Sequence, residues 1–482
     1  MRREAIKFIT LGCKVNQAES EALASFAGAG AGLETRLASK KPGDICVINT
    51  CCVTQKAAMQ SRQAIRKAIR RHPGATIIAT GCYAQMAPDA IQAIEGVDYI
   101  VGQADKHRIF EIIGAEPATT DGAPVVVNPS ILEKRPFNRM PAPAFGGRTR
   151  PFLKVQDGCN AYCTYCIVPY SRGRSRSLPP EQAIAELDSL IQKGAKEIVL
   201  TGIHLGRWGA DLPGSPGLYH LIERLLARPG LKRIRLSSLE PTEITDALLD
   251  LIDASPKICR HFHIPLQSGD AGILKRMNRH CPPEQFAETV GKIRERFDDA
   301  AIGADVMVGF PGETDASFEN TRALIDRLPL TYLHVFPFSP RPPAPAAKYP
   351  DPVPAGLIRQ RAQVLSTLGK TKKEDFFKEM KGRILDVIVE DVIVEKKTGD
   401  PDLCVKGLSS NYIPVYIQRC DNIHINQIVP CLVTDTDRAL SVSGIAQKGK
   451  HRDIESLDPW DAPGGGCAGG DALHHKPVPM QK

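Results

Sequence analysis

The sequence predicts an α/β protein in three parts: an N-terminal parallel α/β domain, a partial (β/α)6 barrel and a small C-terminal β-barrel. Three observations carry this prediction. Short apolar runs alternate with helix-like stretches over about the first hundred residues. A strand-then-helix unit then recurs six times, and the composition finally shifts to short β-rich runs. The expected boundaries are 1–115 for the first domain, 116–147 for a linker, 148–370 for the barrel, 375–445 for the β-barrel and 446–482 for a disordered tail.

In the first domain the apolar runs are Ile6 to Leu11, Ile45 to Ile48 and Thr76 to Ala79, separated by helical patterns including Gln17 to Ala27 and Thr54 to Arg71. Strand, helix, strand, helix is the pattern of a parallel sheet. The stretch that follows is rich in Pro, Gly and Ala with little periodicity, as linkers are. The barrel strands are expected at Phe152–Val155, Ile198–Thr201, Ile234–Leu236, Phe262–Leu266, Ala304–Val308 and Leu333–Phe336, with amphipathic helices such as Pro180 to Gln192 and Pro283 to Phe297 between them. Six units are too few for a full eight-fold barrel. A proline cluster at Pro337–Pro354 ends the repeat, and a charged helix near Leu357–Lys381 follows. Candidate strands of the last barrel are Ile384–Val394, Leu403–Val405, Tyr412–Ile417, Ile428–Val433 and Ala439–Val442. Gly464-Gly465-Gly466 and several prolines mark the tail as disordered.

Composition excludes several classes. With 42% hydrophobic, 24% charged and 6% aromatic residues the chain reads as globular, not fibrous or disordered. The excess of 62 basic over 54 acidic side chains, +8, permits a polyanionic partner without demanding one. No apolar run approaches the roughly eighteen residues of a membrane span. Leu11-Gly12-Cys13 resembles a lipoprotein cleavage site, but the apolar stretch before it is far shorter than the about 7–15 residues of a signal core. The expected location is therefore the cytoplasm, where 14 cysteines point to metal ligands more than to disulfides.

The sharpest signal is Asp157-Gly158-Cys159-Asn160-Ala161-Tyr162-Cys163-Thr164-Tyr165-Cys166, directly after the first barrel strand, where such folds place active sites. Three thiolates in one loop can hold three irons of a [4Fe–4S] cube and leave the fourth open. Structural zinc wants four closed ligands, and no fourth lies at suitable spacing nearby. Cys159, Cys163 and Cys166, in the pattern Cys-x3-Cys-x2-Cys, resemble the signature of the radical S-adenosylmethionine enzymes. That resemblance implies that the open iron binds the amino and carboxylate groups of S-adenosylmethionine and that an electron from the cluster yields a 5′-deoxyadenosyl radical. Other strand ends should line the same mouth and contact this cofactor, with Gly202, Ser237, Glu240, His263, Gln267 and Ser268 as the candidates.

A second thiol set is scattered in sequence. Cys13, Cys51 and Cys82 each follow one of the three N-terminal strands directly. Parallel strands end on one edge, where ligand sites of open sheets gather, so the three can converge there as a second set of metal ligands. Cys46, inside a strand, suits a buried free thiol, and spacing does not choose between Cys51 and Cys52. Buried or incidental thiols are the default for Cys259, Cys281, Cys404, Cys420, Cys431 and Cys467.

With both thiol sets in view, residues 1–445 resemble the methylthiotransferases, radical enzymes with two [4Fe–4S] clusters and a C-terminal TRAM domain. The resemblance implies that the second cluster is held by Cys13, by Cys51 of Asn-Thr-Cys and by Cys82 of Gly-Cys-Tyr-Ala. It further implies radical hydrogen removal from a substrate carbon, sulfur insertion there, and methylation by a second S-adenosylmethionine. An electron donor and a sulfur source are then required partners, with the chain taken as a monomer.

For substrate, Leu11-Gly12-Cys13-Lys14-Val15-Asn16-Gln17 and Thr201-Gly202-Ile203-His204-Leu205-Gly206 look most like the branch acting on N6-threonylcarbamoyladenosine beside the tRNA anticodon. The isopentenyladenosine branch usually carries Gln-Met-Asn after this cysteine, and the branch acting on a ribosomal-protein aspartate Pro-Lys-Asn. The basic run Arg62 to Arg71 suits tRNA phosphates or an ordinary solvated face. A non-catalytic, metal-containing RNA-binding scaffold is the alternative from another class.

Overall fold

The computed structural model describes residues 6–28, 44–115, 123–140, 148–395, 402–418, 423–438 and 441–446. The first sheet contains β1 (Ile6–Thr10), β2 (Ile45–Thr50), β3 (Thr76–Gly81), β4 (Tyr99–Val101) and β5 (Val125–Val127), all parallel and in that order. β2 and β3 are buried at every position, which is why they read as unbroken apolar runs. The helix Gln55–Arg71 begins at Thr54, whose hydroxyl accepts the Ala57 N–H, and it buries Ala58, Ser61, Ile65 and Ala68 along one stripe. Arg66, Lys67, Arg70 and Arg71 are left facing solvent.

β4 and β5 were not among the expected runs, because three residues give no measurable periodicity. β5 falls inside the stretch expected to be linker. The chain beyond it stays attached to the sheet: Asn128 Nδ2 donates to the Gln85 carbonyl at 3.2 Å, and Gln85 Nε2 donates to the Pro129 carbonyl at 3.1 Å. The expected tail, Cys420 and Cys467 lie outside the described residues, as does the side chain of Cys404.

The second region contains β6 (Phe152–Lys154), β7 (Gln156–Asp157), β8 (Arg176–Ser177), β9 (Glu197–Thr201), β10 (Arg233–Leu236), β11 (His261–Gln267), β12 (Ala301–Val308) and β13 (Tyr332–Pro337). Six of these are parallel and form two arcs, β6-β9-β10 and β11-β12-β13, joined beside β10 by the parallel bridge between Ile234 and Ile258. The barrel is thus partial, as the six-unit repeat implied. Leu153, Leu200, Ile234, Ile264 and Ile302 from its strands meet Leu187, Leu221, Leu249, Val290 and Ile325 from its helices in one core. β7 and β8 pair antiparallel and close the base of the loop that carries the three cysteines.

After the helix Ala355–Glu379 come β14 (Ile384–Glu395), β15 (Asp402–Ser409), β16 (Pro414–Gln418), β17 (Ile428–Arg438) and β18 (Ser441–Ala446), closed in the order β14-β15-β16-β18-β17. This small barrel seats on the starting ends of the parallel strands, opposite the cysteine loop. Arg233 donates to the Asp386 and Leu408 carbonyls, and Arg235 to those of Ser409 and Ser410. Both guanidinium groups also pair with the buried Glu197. Among the described residues no helix is long and apolar enough to cross a membrane.

Candidate active site

The barrel cysteine loop is fixed by backbone bonds from two sides. Gly158, at φ +71°, lies so close to the Arg174 carbonyl that an added Cβ would sit 2.1 Å from its oxygen, so only glycine fits. Cys159 N–H then donates to the Gly173 carbonyl at 3.1 Å, and Ser175 N–H to Asn160 Oδ1 at 3.0 Å. From the other side, Thr164 N–H donates to the Met277 carbonyl at 3.0 Å, and Asn278 Nδ2 to the carbonyls of Ala161 and Tyr162. Cys159, Cys163 and Cys166 are free and half-buried.

The surroundings of these thiols are cationic. Cys159 Sγ lies 3.5 Å from His204 Nδ1, and His204 Nε2 lies 2.8 Å from Glu243 Oε1. Burial alone would lower the imidazole pKa, but the bonds to Cys159 and Glu243 override it and hold it at about 10. Burial pushes the Cys163 thiol up against the opposing pull of Arg279, and burial together with Cys163 pushes Cys166 up to about 12. Such thiols keep their protons until a metal displaces them.

The six strand-end candidates divide by their partners. Gly202 packs on Gln156, where an added Cβ would sit 2.9 Å from that side chain. Ser237 is buried, and its hydroxyl is without a partner among the described residues. Glu240 forms a two-point pair with Arg279, at 2.7 and 2.5 Å, and Arg279 also donates to the Pro265 carbonyl. His263 reaches Ser238 Oγ at 2.5 Å and Asp305 at 3.0 Å. Gln267 has φ +67° beside a register shift in β11. The Ser268 hydroxyl is engaged by Thr321 and by the Asp270 N–H, so it serves the barrel wall.

The N-terminal thiols follow the ends of neighbouring parallel strands β1, β2 and β3. Charges on Cys82 and Cys13 both act on Cys51, whose thiol burial first and then Cys82 push up to about 12. Gly12, at φ +98°, has room for no Cβ, because one would sit 2.9 Å from Cys51 Sγ. Cys52 feels Cys82 and Cys51 as well, and it shares one apolar core with Cys82, Ile48, Ala58 and Tyr83, so core membership does not separate ligand from non-ligand thiols here. Neither thiol trio gathers its sulfurs within 4.8 Å, the spacing that singles out only His263, Asp305 and His334 among the described residues. A single tetrahedral zinc draws its thiolates closer than that, whereas each iron of a cube takes one cysteine. Three thiols in each set match three irons of a cube, with the fourth iron left open.

A buried charge network stands between the two thiol sets. Arg172 pairs with Glu19 at 3.0 Å and Asp157 at 2.8 Å, Lys106 and Lys154 reach Glu19 at 2.6 and 2.7 Å, and Arg176 reaches Asp157 at 3.3 Å. Four cations thus surround two carboxylates. Burial opposes ionisation of Glu19, but Arg172, Lys106 and Lys154 hold its carboxyl well below the usual range. The surplus positive charge falls beside Cys13, Cys51 and Cys82, all of which interact with Arg172.

The model of the "Radical SAM superfamily" matches residues 153–325, and that of "Uncharacterized protein family UPF0004" matches residues 5–102. Threonylcarbamoyladenosine tRNA methylthiotransferase MtaB of Bacillus subtilis (strain 168) is 39% identical over 424 residues, 88% of this chain and 92% of that protein. The chain belongs to the radical S-adenosylmethionine methylthiotransferase family. Another methylthio-forming relative, tRNA-2-methylthio-N(6)-dimethylallyladenosine synthase of Clostridium botulinum (strain Hall / ATCC 3502 / NCTC 13319 / Type A), is 33% identical over 79% of this chain and 85% of that protein. Among solved structures, the radical S-adenosylmethionine methyltransferase TsrM from Kitasatospora setae, with tryptophan substrate and a SAM analog, overlays with a TM-score of 0.50 at 16% identity. It covers 69% of this chain and 73% of that chain, a likeness of fold.

Sequence reasoning located the thiols of this methylthiotransferase but not their supports. Arg172, Glu19, Asp157, Lys106 and Arg279 are charged residues in segments that end up buried. A charge within an otherwise apolar or loop segment is the signal that could have flagged them. Their partners lie up to 156 residues away, and no local pattern pairs them.

Proposed function

We propose that this protein transfers a methylthio group to C2 of N6-threonylcarbamoyladenosine beside the anticodon of tRNA, in the cytoplasm. Cys159, Cys163 and Cys166 hold one [4Fe–4S] cluster with an open iron for S-adenosylmethionine, and Cys13, Cys51 and Cys82 hold the second. The observation that carries this reading is the convergence of three strand-end thiols beside a cationic network, next to a barrel that already bears a radical-type cysteine loop. The 39% identity to a protein named for this reaction, over most of both chains, supports the same substrate. The small β-barrel is read as the TRAM domain, and residues 1–115 as the domain of the second cluster.

When bound, the first cluster supplies the electron that cleaves S-adenosylmethionine and the second site supplies sulfur. The chain's own residues provide the setting. His204 donates an N–H to Cys159, and Arg279 stands beside Cys163, so both offset negative charge on the sulfurs. Arg172 does the same at the second site while its other bonds hold the two halves in register. Of the strand-end candidates for S-adenosylmethionine (Gly202, Ser237, Glu240, His263, Gln267 and Ser268), Ser237 offers a buried hydroxyl with no other partner among the described residues. The exposed Arg66, Lys67, Arg70 and Arg71 supply a face for tRNA phosphates. An electron donor and a sulfur source complete the cycle.

The deciding experiment is nucleoside mass spectrometry of tRNA from a strain lacking this protein and no other methylthiotransferase. Loss of 2-methylthio-threonylcarbamoyladenosine, with return on complementation, is expected. Unchanged levels of that nucleoside would overturn the reading, and loss of the isopentenyl counterpart instead would reassign the substrate.

A further inference from the structure

The three strands of the second arc each bring one metal-binding side chain to a single point. In the sheet register Asp305 of β12 stands beside His334 of β13 and Pro265 of β11, and His263 lies two residues before Pro265 on the same face. His263 Nε2 and His334 Nδ1 lie 3.0 and 3.2 Å from one oxygen, Asp305 Oδ1. All three donor atoms fall within 4.8 Å of one another.

Two donors held at about 2.0–2.2 Å by one ion stand about 3 Å apart when adjacent. Hydrogen bonds have that length too, so direction decides between the two. His263 Nε2 is buried and, despite the 3.0 Å distance, forms no hydrogen bond among the described residues. Asp305 Oδ1 therefore lies to one side of the axis along which the ring nitrogen directs its proton or lone pair. A cation on that axis reaches nitrogen and oxygen together. We propose that His263, Asp305 and His334 form a site for one divalent first-row transition-metal ion in the barrel, separate from both thiol sets.

The surroundings suit that role. Ser238 Oγ, 2.5 Å from His263 Nδ1, takes the proton of that nitrogen and leaves the Nε2 lone pair for the ion. The Tyr332 ring lies parallel to His263 at 6.2 Å and stands 5.2 Å from His334, and its hydroxyl is 2.8 Å from His261 Nε2. This packing holds both imidazoles in place before an ion arrives. His334 is half exposed, which gives the ion a path from solvent. Two imidazoles and one carboxylate favour zinc or iron over magnesium and calcium, and three protein ligands leave positions open for water. His263 is thereby set apart from the other strand-end candidates.

Zinc is the probe. The anaerobic holoenzyme, with both clusters in place, is equilibrated with micromolar Zn(II) and desalted, and zinc and iron are counted by plasma mass spectrometry. The unmutated protein should retain about one zinc beside about eight irons per chain. Asp305→Asn and His334→Ala should each lower the retained zinc by about tenfold or more with iron unchanged, and Asp305→Glu should keep most of it. Undiminished iron shows that a variant is folded and that zinc has not entered the thiol sites. X-ray absorption at the zinc edge of the unmutated holoenzyme reads the donors without any variant, and nitrogen and oxygen neighbours alone are expected. Sulfur among those neighbours, no zinc retained by the unmutated protein, or zinc retained in full by both Asp305→Asn and His334→Ala overturns the proposal.

Discussion

Arg172 and Glu19, 153 residues apart, form a two-point ion pair at 3.0 and 3.1 Å, and both side chains are excluded from solvent. Glu19 belongs to the N-terminal helix and Arg172 to the short helix Val168–Arg172 that closes the barrel cysteine loop. The pair therefore joins the element after Cys13 to the element after Cys166. It also makes the geometry of one thiol set depend on that of the other.

Removing one partner of this pair strands a charge. Arg172→Met should destabilise the fold by about 3–5 kcal/mol, because Glu19 and Asp157 lose a fully buried cation. Urea unfolding measures it. Glu19→Gln in the same background should recover part of the loss, and a simple sum of the two single effects would show that the groups do not interact.

The seat of the small barrel should be acid-sensitive. Burial raises the Glu197 pKa, but Arg235 first and then Arg233 and Arg150 depress it to about 2, below its ordinary value. A depressed carboxylate stabilises fully above the unfolded pKa, and the contribution is lost as pH falls from about 4.5 towards about 2. Urea midpoints should decline over that window in the unmutated protein. Glu197→Gln should be less stable near neutrality and show a shallower decline, and an unaltered slope would refute the assignment.

Gly12 is a steric test of the second cluster. Alanine there would place a Cβ 2.9 Å from both Cβ and Sγ of Cys51, at a backbone φ of +98°. Gly12→Ala should lower the reconstituted iron content from about eight to about four per chain while 5′-deoxyadenosine formation persists. Cys52→Ala should leave about eight, and a fall to four in that variant would move the ligand from Cys51 to its neighbour.

The exposed basic face of the helix Gln55–Arg71 should govern the salt dependence of tRNA binding. Arg66, Lys67, Arg70 and Arg71 make no ion pair among the described residues. Exchanging them for Gln should flatten the plot of log affinity against log salt by about 0.7–0.9 for each phosphate no longer neutralised. Filter binding across a salt series reads the slope, and an unchanged slope assigns the face to solvent.

Part of this arrangement was legible in one dimension. Cys159, Cys163 and Cys166 lie in a single loop, so their spacing alone pointed to the three-thiolate site proposed above. Cys13, Cys51 and Cys82 were found because each directly follows an apolar run, and parallel strands carry such positions to one edge. The short strands Tyr99–Val101 and Val125–Val127 were missed, since a three-residue strand has no period to detect.

By itself, then, the sequence determined the fold class and the class of chemistry and nominated the thiols, because strand periodicity and cysteine spacing are local properties. Only the tertiary structure decided what surrounds those thiols. It brought Glu19 to Arg172 and Glu197 to Arg235. Burial gives such distant pairs their strength, and burial is a property of the packed chain.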